Sequence, residues 1–307
     1  MRFGVNILNF AIERPEELAS RARIAESLGF HFAMVSDHIA LTPGVRSRYP
    51  EPFYDCFTTL AWLAGRTTTL ELGTTVVVLP YRHPVQVARL VANIDQMSGG
   101  RFIFGVGVGG NADEFAVLGV PMNRRGAISN EYLEIIHALW TEDEVTYHGR
   151  FVQLDSVSGT RPVVTADRPH PPVWVGGRSD AAMRRVVRFD AAWHPNGMTP
   201  AWLSDVGMPR LRELASEGER PTPALCPRIK LDLRDEPVSE PDRLIGVGSL
   251  AQILEDLVLL AELGARDVLF DWYRAGDMES ARDDDHAWHM LSKLADDVID
   301  LRGERLR

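Results

Sequence analysis

The sequence predicts a (β/α)₈ barrel, and three observations carry that reading. Strand-like and helix-like segments alternate along almost all of the 307 residues, the pattern of a parallel sheet with helical crossovers. Eight apolar segments read as strands, the number a closed barrel needs. The turn after the first strand, residues 9–14, holds no glycine, whereas an open dinucleotide-binding sheet carries its glycine-rich turn there. A doubly wound open sheet is the alternative, and it needs fewer strands.

Residues 3–8 form the first buried strand. A helix follows over 15–28, with Pro15 at its start, Glu16 and Glu17 in its first turn and Gly29 as its stop. The second strand, 31–36, ends in Ser-Asp-His. Residues 55–64 form a short helix, 70–78 a β-branched third strand and 85–97 the next helix. A Ser-Gly-Gly turn leads to the fourth strand, 101–105. Residues from about 111 to 170 form an insertion, with a helix over 129–140 and a hairpin or extended loop over 145–154. The barrel pattern resumes with a fifth strand at 172–175 and a helix at 179–188. A sixth strand at 191–194, a helix at 201–216 and a seventh strand at 228–233 follow. The series closes with a helix at 250–263, an eighth strand at 267–271 and a last helix at 287–301. The whole chain, 1–307, reads as a single domain.

Composition narrows the function. Hydrophobic content of 45% and charged content of 25% are ordinary for a globular protein. The net charge of -10 argues against a nucleic-acid partner, which calls for a basic face. No apolar run approaches the roughly 20 residues that span a bilayer, and no signal peptide is evident, so a cytoplasmic location is expected. Cys56 and Cys226 lie far apart and form no zinc pattern, so two reduced thiols are expected. No metal site is expected: His38, His83 and His194 have no spacing that fixes a ligand set.

Asp37-His38 closes the second strand. A histidine gains or loses a proton near neutral pH, and a carboxylate beside it tunes or orients it. A plain loop histidine is the alternative. Gly176-Gly177-Arg178-Ser179 lies between a strand and a helix, where backbone N–H groups, a hydroxyl and a guanidinium suit an anion. Ser179 also fits as a helix cap. Residues 105–110 match G-x-G-x-x-G with Glu131 near the acidic position, yet they follow the fourth strand and Glu131 sits in a helical stretch. These glycines therefore read as room for a flat ligand at the barrel mouth, with Asn111 or Asp113 adding a polar contact.

Together the motifs resemble the bacterial luciferase-like superfamily of flavin- and deazaflavin-dependent oxidoreductases. The matching segments are Val35-Ser-Asp-His38, Leu72-Gly-Thr-Thr-Val76, His83-Pro84, Met97-Ser-Gly-Gly-Arg101, Gly105-Val-Gly107, Glu114-Phe, Gly149 and Pro171-Pro-Val-Trp-Val-Gly-Gly177. Each is short; their order and spacing carry the resemblance. The Ser-Asp-His and Leu-Gly-Thr-Thr-Val segments are most similar to the branch that uses coenzyme F420, a 5-deazaflavin.

The resemblance implies a non-prolyl cis peptide at Thr75–Val76 backing the cofactor ring. It implies His38 as general acid or base, with Asp37 orienting it or bonding the cofactor. Gly176, Gly177 and Ser179 would hold the phosphate, and Gly107, Gly109 and Asn111 would line the ring path. Arg178, Arg46, Arg48 and Arg82 are candidates for the deazaflavin's anionic tail. The expected reaction is hydride transfer to or from a small organic substrate. The alternatives are an FMN-dependent monooxygenase fed by a partner reductase, and a non-catalytic flavin-binding protein. A homodimer is expected from the same resemblance. Gly110 stands where deazaflavin-dependent sugar-phosphate dehydrogenases carry a catalytic glutamate, and Leu41-Thr-Pro replaces the aromatic after their Asp-His pair. Both departures argue against a sugar phosphate as substrate.

Overall fold

A computed structural model describes residues 1–165, 168–277 and 279–307. Residues 166 and 167, in the expected insertion, and residue 278, in the loop after the eighth strand, lie outside the described residues. The barrel strands are β1 (Arg2–Asn6), β2 (Phe32–Val35), β3 (Glu71–Thr74), β4 (Phe102–Gly107), β5 (Val173–Gly176), β6 (Ala192–His194), β7 (Arg228–Lys230) and β8 (Asp267–Asp271). All neighbouring pairs are parallel, in the order β7-β8-β1-β2-β3-β4-β5-β6. Parallel bridges Trp193↔Leu225 and Asn196↔Arg228 join the two ends of that path, so the sheet closes nearly into a barrel.

Strand alternation sorts side chains between two cores. Outward residues such as Phe3, Val5, Val268 and Phe270 pack under the helices in the main core. The inner layer holds Phe32, Met34, Ile103, Trp174, Ala192, Cys226 and Leu269. Two glycines let it fill: a Cβ on Gly4 would lie 2.3 Å from the Phe32 ring, and one on Gly73 2.7 Å from the Met34 methyl. Charges cap this layer at both ends. At the strand N-terminal end, Asp267 pairs with Arg2 at 2.6 Å and Arg266 at 2.7 Å. At the C-terminal end, Asp271 gathers Arg228, Lys230 and Asn6. In barrels the C-terminal end is the working face.

Helix signals act as their residue types dictate. Helix Pro15–Leu28 begins on proline and stops at Gly29, whose φ of 92° lets its N–H return to the carbonyls of Ala25 and Glu26. Asp55, Ser179 and Ser249 cap the helices that follow them.

Several boundaries differ from the sequence reading. The expected third strand breaks after Thr74: the Thr75–Val76 peptide is cis, and Val77–Val78 pairs separately with β4. The expected seventh strand splits, because Asp232–Leu233 leaves the barrel to pair with Val247–Gly248. The helix over 201–216 carries a π-helical stretch, Leu203–Gly207. The last helix runs Asp284–Asp297, and the tail then turns back as Ile299–Asp300 against Arg305–Leu306. In the insertion, helix Arg125–Thr141 precedes an antiparallel hairpin, Glu144–His148 with Gln153–Ser158. Glu131 is the key to that hairpin: its carboxylate accepts from the N–H groups of Arg150, Phe151 and Val152, each at 2.8 Å. Its task is therefore structural, not recognition of a ribose. Among the described residues, no helix is long and apolar enough to cross a membrane.

Candidate active site

His38 stands three residues beyond β2. Its Nδ1 lies 2.6 Å from Glu114 Oε2. With Nδ1 donating to this carboxylate, Nε2 is the ring nitrogen left to exchange a proton. Glu114 is fully buried in helix Ala112–Val117. It also accepts from the N–H groups of Ile39 at 3.0 Å and Ala40 at 3.3 Å, and from the Tyr81 hydroxyl at 3.4 Å. One carboxylate thus holds both the imidazole and the backbone beside it. Tyr49 packs against the imidazole with centroids 4.7 Å apart, and Phe53 meets it edge-on at 5.4 Å.

The expectation that Asp37 orients His38 is corrected. Asp37 points the other way, into a bidentate pair with Arg82 at 2.7 and 2.9 Å, and it accepts from Val78 N–H at 3.0 Å. Arg82 bonds Asp55 as well, at 2.8 Å, and its side chain is only 9% exposed. Adjacent residues at a strand end face opposite sides, so Asp37 anchors the segment after the bulge while His38 turns to the helix after β4. Arg82 is consequently spent inside the fold and is removed as a candidate for an anionic cofactor tail. Asp37, Asp55 and Cys56 sit close enough to share an ion, but the Arg82 guanidinium already joins both carboxylates.

The bulge at Thr75–Val76 depends on the glycines of the fourth and fifth strands. A Cβ on Gly105 would lie 1.8 Å from the Thr74 carbonyl oxygen, and one on Gly107 2.6 Å from Val76 Cγ2. The Thr74 hydroxyl donates to the Gly105 carbonyl at 2.7 Å. Gly109 and Gly177 adopt φ values of 75° and 106°, a region that favours glycine. So the glycine run first admits the bulge, and what remains open becomes the floor of a cavity.

Arg228 ties the bulge to the far wall. Its Nη1 donates to the Thr75 carbonyl at 2.8 Å, while Nε and Nη2 reach Asp271 Oδ2 at 3.0 and 2.8 Å. The Thr75 hydroxyl meets His194 Nε2 at 2.9 Å, and His194 Nδ1 faces the Cys226 carbonyl at 2.5 Å. That carbonyl only accepts, so Nδ1 donates, Nε2 accepts, and Thr75 spends its hydrogen on His194. Arg228 Nη1 also donates to the Thr75 hydroxyl oxygen, at 3.3 Å, so Arg228 and His194 together fix this side chain at the cavity wall.

Burial pushes the His194 imidazole down to about 4, against the opposing pull of the Cys226 carbonyl. An unfolded histidine titrates near 6.5. Between those values the unfolded chain binds the extra proton. Stability is therefore whole above pH 6.5 and falls as the pH drops toward 4, by on the order of 3 kcal/mol. Urea unfolding from pH 7 to pH 4 should show this loss, and His194→Gln should lack that part of it.

A cavity of about 440 Å³ opens at this end. Thr75, Val76, Gly107, Gly109, Gly176 and Gly177, six of the expected cofactor residues, line it, joined by Val108, Gly110, His194, Asn196 and Arg228. Asn111 is absent from the lining. It is a helix cap whose Oδ1 accepts from the N–H groups of Asp113 and Glu114 at 3.0 and 3.2 Å. Ser179 caps helix Asp180–Arg188 by accepting from Ala182 N–H at 3.2 Å. Arg178 donates to the Gly197 carbonyl at 2.5 Å and covers the Trp202 ring. A second cavity of about 250 Å³ adjoins the first through Asn196 and Arg228, and Arg178 and Tyr49 line it. His38 and Asp37 line neither. Tyr49, packed on the imidazole, is the link between His38 and the second cavity.

Sequence reasoning missed Arg228, Lys230, Asp271 and Asn196, and it quoted Glu114 only as part of a motif. A usable signal existed. Counting inward positions along the seventh and eighth strands places Arg228, Lys230 and Asp271 on the barrel's inner face.

Residues 1–237 match the family model described as luciferase-like monooxygenase. An uncharacterized protein of Mycobacterium tuberculosis is 30% identical over 223 residues, covering 69% of this chain and 75% of the relative. An F420-dependent glucose-6-phosphate dehydrogenase of Nakamurella multipartita is 33% identical over 208 residues, covering 65% of this chain and 58% of that protein. Among solved structures, an F420-dependent secondary alcohol dehydrogenase superposes with a TM-score of 0.74 at 17% identity, covering 88% of this chain and 92% of the other. At that identity the likeness is one of fold.

Proposed function

The chain belongs to the luciferase-like monooxygenase family, and we propose that within it this protein is a coenzyme F420-dependent oxidoreductase. It moves a hydride between the coenzyme and a small organic substrate, with His38 as general acid or base. The observation that supports this reading best is the cradle itself. The Thr75–Val76 bulge faces the glycine edges at 107–110 and 176–177 across a cavity of about 440 Å³. That volume lies in the range of roughly 300–1,000 Å³ that small-molecule and cofactor sites take. A Cβ on Gly110 would meet nothing within 4 Å, so open space lies above the backbone there.

Thr75, Val76, Gly107 and Gly109 would hold the ring; Gly176, Gly177 and the N-terminus of helix Asp180–Arg188 would take the phosphate. A bound deazaflavin supplies a two-electron hydride and reacts poorly with oxygen. The remaining work falls to the chain. Arg228 and His194 hold Thr75 in place at the wall against which the ring would lie, and His38 gives or takes the substrate's proton at Nε2. Glu114 occupies Nδ1 and so leaves Nε2 for that proton.

Glu114 acts as a positioning residue in this scheme. Glu114→Gln keeps an acceptor for Ile39 and Ala40 but turns an amide toward Nδ1, favouring the wrong tautomer. We expect turnover to fall about 10-fold to 10²-fold with KM little changed. Glu114→Asp should recover part of the loss. Equal turnover in both variants and the parent would remove the role.

Titrating the cofactor-free protein separately with oxidised F420 and with FMN tests the main reading, through tryptophan quenching and cofactor fluorescence. Tight F420 binding with weak FMN binding supports it. The reverse preference makes the protein an FMN monooxygenase that needs a partner reductase. Binding of neither would discard the cavity assignment. A homodimer belongs to the same proposal, and sedimentation equilibrium reads it directly.

A further inference from the structure

The second cavity at the mouth is cationic in a chain of net charge -10. Arg48, Arg178, Arg228 and Lys230 line it against one carboxylate, Asp271. That carboxylate is saturated. Oδ2 takes Arg228 and Lys230, the latter at 2.8 Å; Oδ1 takes Asn6 at 3.0 Å and Tyr273 N–H at 3.2 Å. Four cations against one carboxylate leave a surplus of three positive charges. Among the described residues, no carboxylate pairs with Arg48 or Arg178. The Arg228 and Lys230 side chains are only 17% and 31% exposed. Partly buried charge of one sign is costly unless something opposite arrives. Burial, then the neighbouring Arg228 and Arg274, holds the Lys230 ammonium below its ordinary range against the pull of Asp271.

We propose that this second cavity is an anion subsite that holds a carboxylate or phosphate group of the substrate, gripped by Lys230, Arg48 and Arg228. It deepens the reading of this mouth as catalytic and rests on it. Two contacts place the subsite beside the chemistry. Arg228 belongs to both cavities, so the anion lies next to the ring cradle. Tyr49 lines the subsite and packs on His38. A small organic acid or phosphate ester anchored there keeps its uncharged, reacting part within the mouth. The cofactor's own acidic tail is the other source of the same chemistry.

Cofactor-free protein is titrated with inorganic phosphate and with malonate at constant ionic strength, following thermal unfolding, with chloride and glycerol as controls. Saturable stabilisation by either anion is expected. Lys230→Met and Arg48→Ala should each weaken it about tenfold, the loss of one charge-assisted contact. Arg48 lies on a surface loop, so that variant keeps the test valid if the inner one folds poorly. No stabilisation beyond chloride, or equal stabilisation in both variants and the parent, overturns the subsite. The second arm compares intact F420 with its tail-less riboside. Unchanged affinity of both in Lys230→Met assigns the anion to the substrate. A tenfold loss for intact F420 alone assigns it to the cofactor tail and overturns the substrate reading. Phosphate binding without binding of F420 or FMN would leave the subsite standing while the redox reading fails.

Discussion

Replacing His38 by alanine lowers turnover by about 10²-fold to 10⁴-fold, the usual worth of a general acid or base, and leaves cofactor affinity within about twofold. The expectation follows from how the imidazole is held. Among the described residues its one polar contact is with Glu114, and its ring is packed by Tyr49 and Phe53. Neither it nor Asp37 lines the ring cradle. Removing the imidazole leaves the Glu114 carboxylate with three donors, from Ile39, Ala40 and Tyr81, so the buried charge stays satisfied and the fold should stand. Steady-state kinetics and cofactor fluorescence separate the two effects. Loss of cofactor binding together with turnover would make His38 a structural residue. Unchanged turnover would return the protein to the class of flavin-binding proteins without catalysis.

Replacing Gly105 by alanine should destabilise the fold by about 3 kcal/mol or more and abolish cofactor binding. The added Cβ would lie 1.8 Å from the Thr74 carbonyl oxygen. That neighbour is backbone and is bonded into β3, so it has no rotamer to change. Forced insertions into close-packed sites typically cost about 1–3 kcal/mol, and an immovable backbone atom sets this case at the upper end. The bulge would have to move, and with it the Thr75 carbonyl that Arg228 holds. Gly110→Ala is the contrast, because its Cβ meets nothing within 4 Å and its φ is not positive. Its stability should stay within about 0.5 kcal/mol of the parent. Urea unfolding and F420 fluorescence read both variants; similar behaviour of the two would mean that Gly105 does not shape the bulge.

Much of the architecture was legible in the residues. The eight strands appear in the expected order because inward and outward positions alternate locally. Helices start and stop at Pro15, Asp55, Ser179 and Gly29 because these residues satisfy or release nearby backbone groups. The places where the reading failed share a cause. By periodicity alone the third and seventh strands look continuous, since Thr75, Val76 and Leu231 are as suited to a strand as their neighbours; only the family resemblance implies the cis peptide at Thr75–Val76. They break because of what lies beside them in space: the glycines of β4 admit a bulge, and Val247–Gly248 draws Asp232–Leu233 out of the barrel. Glu131, set aside as a ribose ligand because it sits in a helical stretch, found its partners in space for the same reason. Its sequence distance from the glycines resembled a dinucleotide site, and its actual partners are the N–H groups of a hairpin turn.

The sequence by itself determined the barrel, the gathering of special residues at one end of it and the likeness to a family. Those depend on periodicity, composition and short motifs, all of which are local. Only the tertiary structure decided who holds whom. His38 is paired with Glu114, 76 positions away, not with adjacent Asp37; Asp37 is paired with Arg82, 45 positions away; and Thr75 is held by Arg228, 153 positions away. A barrel closes by bringing strand ends together across long stretches of chain. At its mouth the choice of partner is set by which inward side chains meet in a small, partly dry space, where each charge or donor must find its complement.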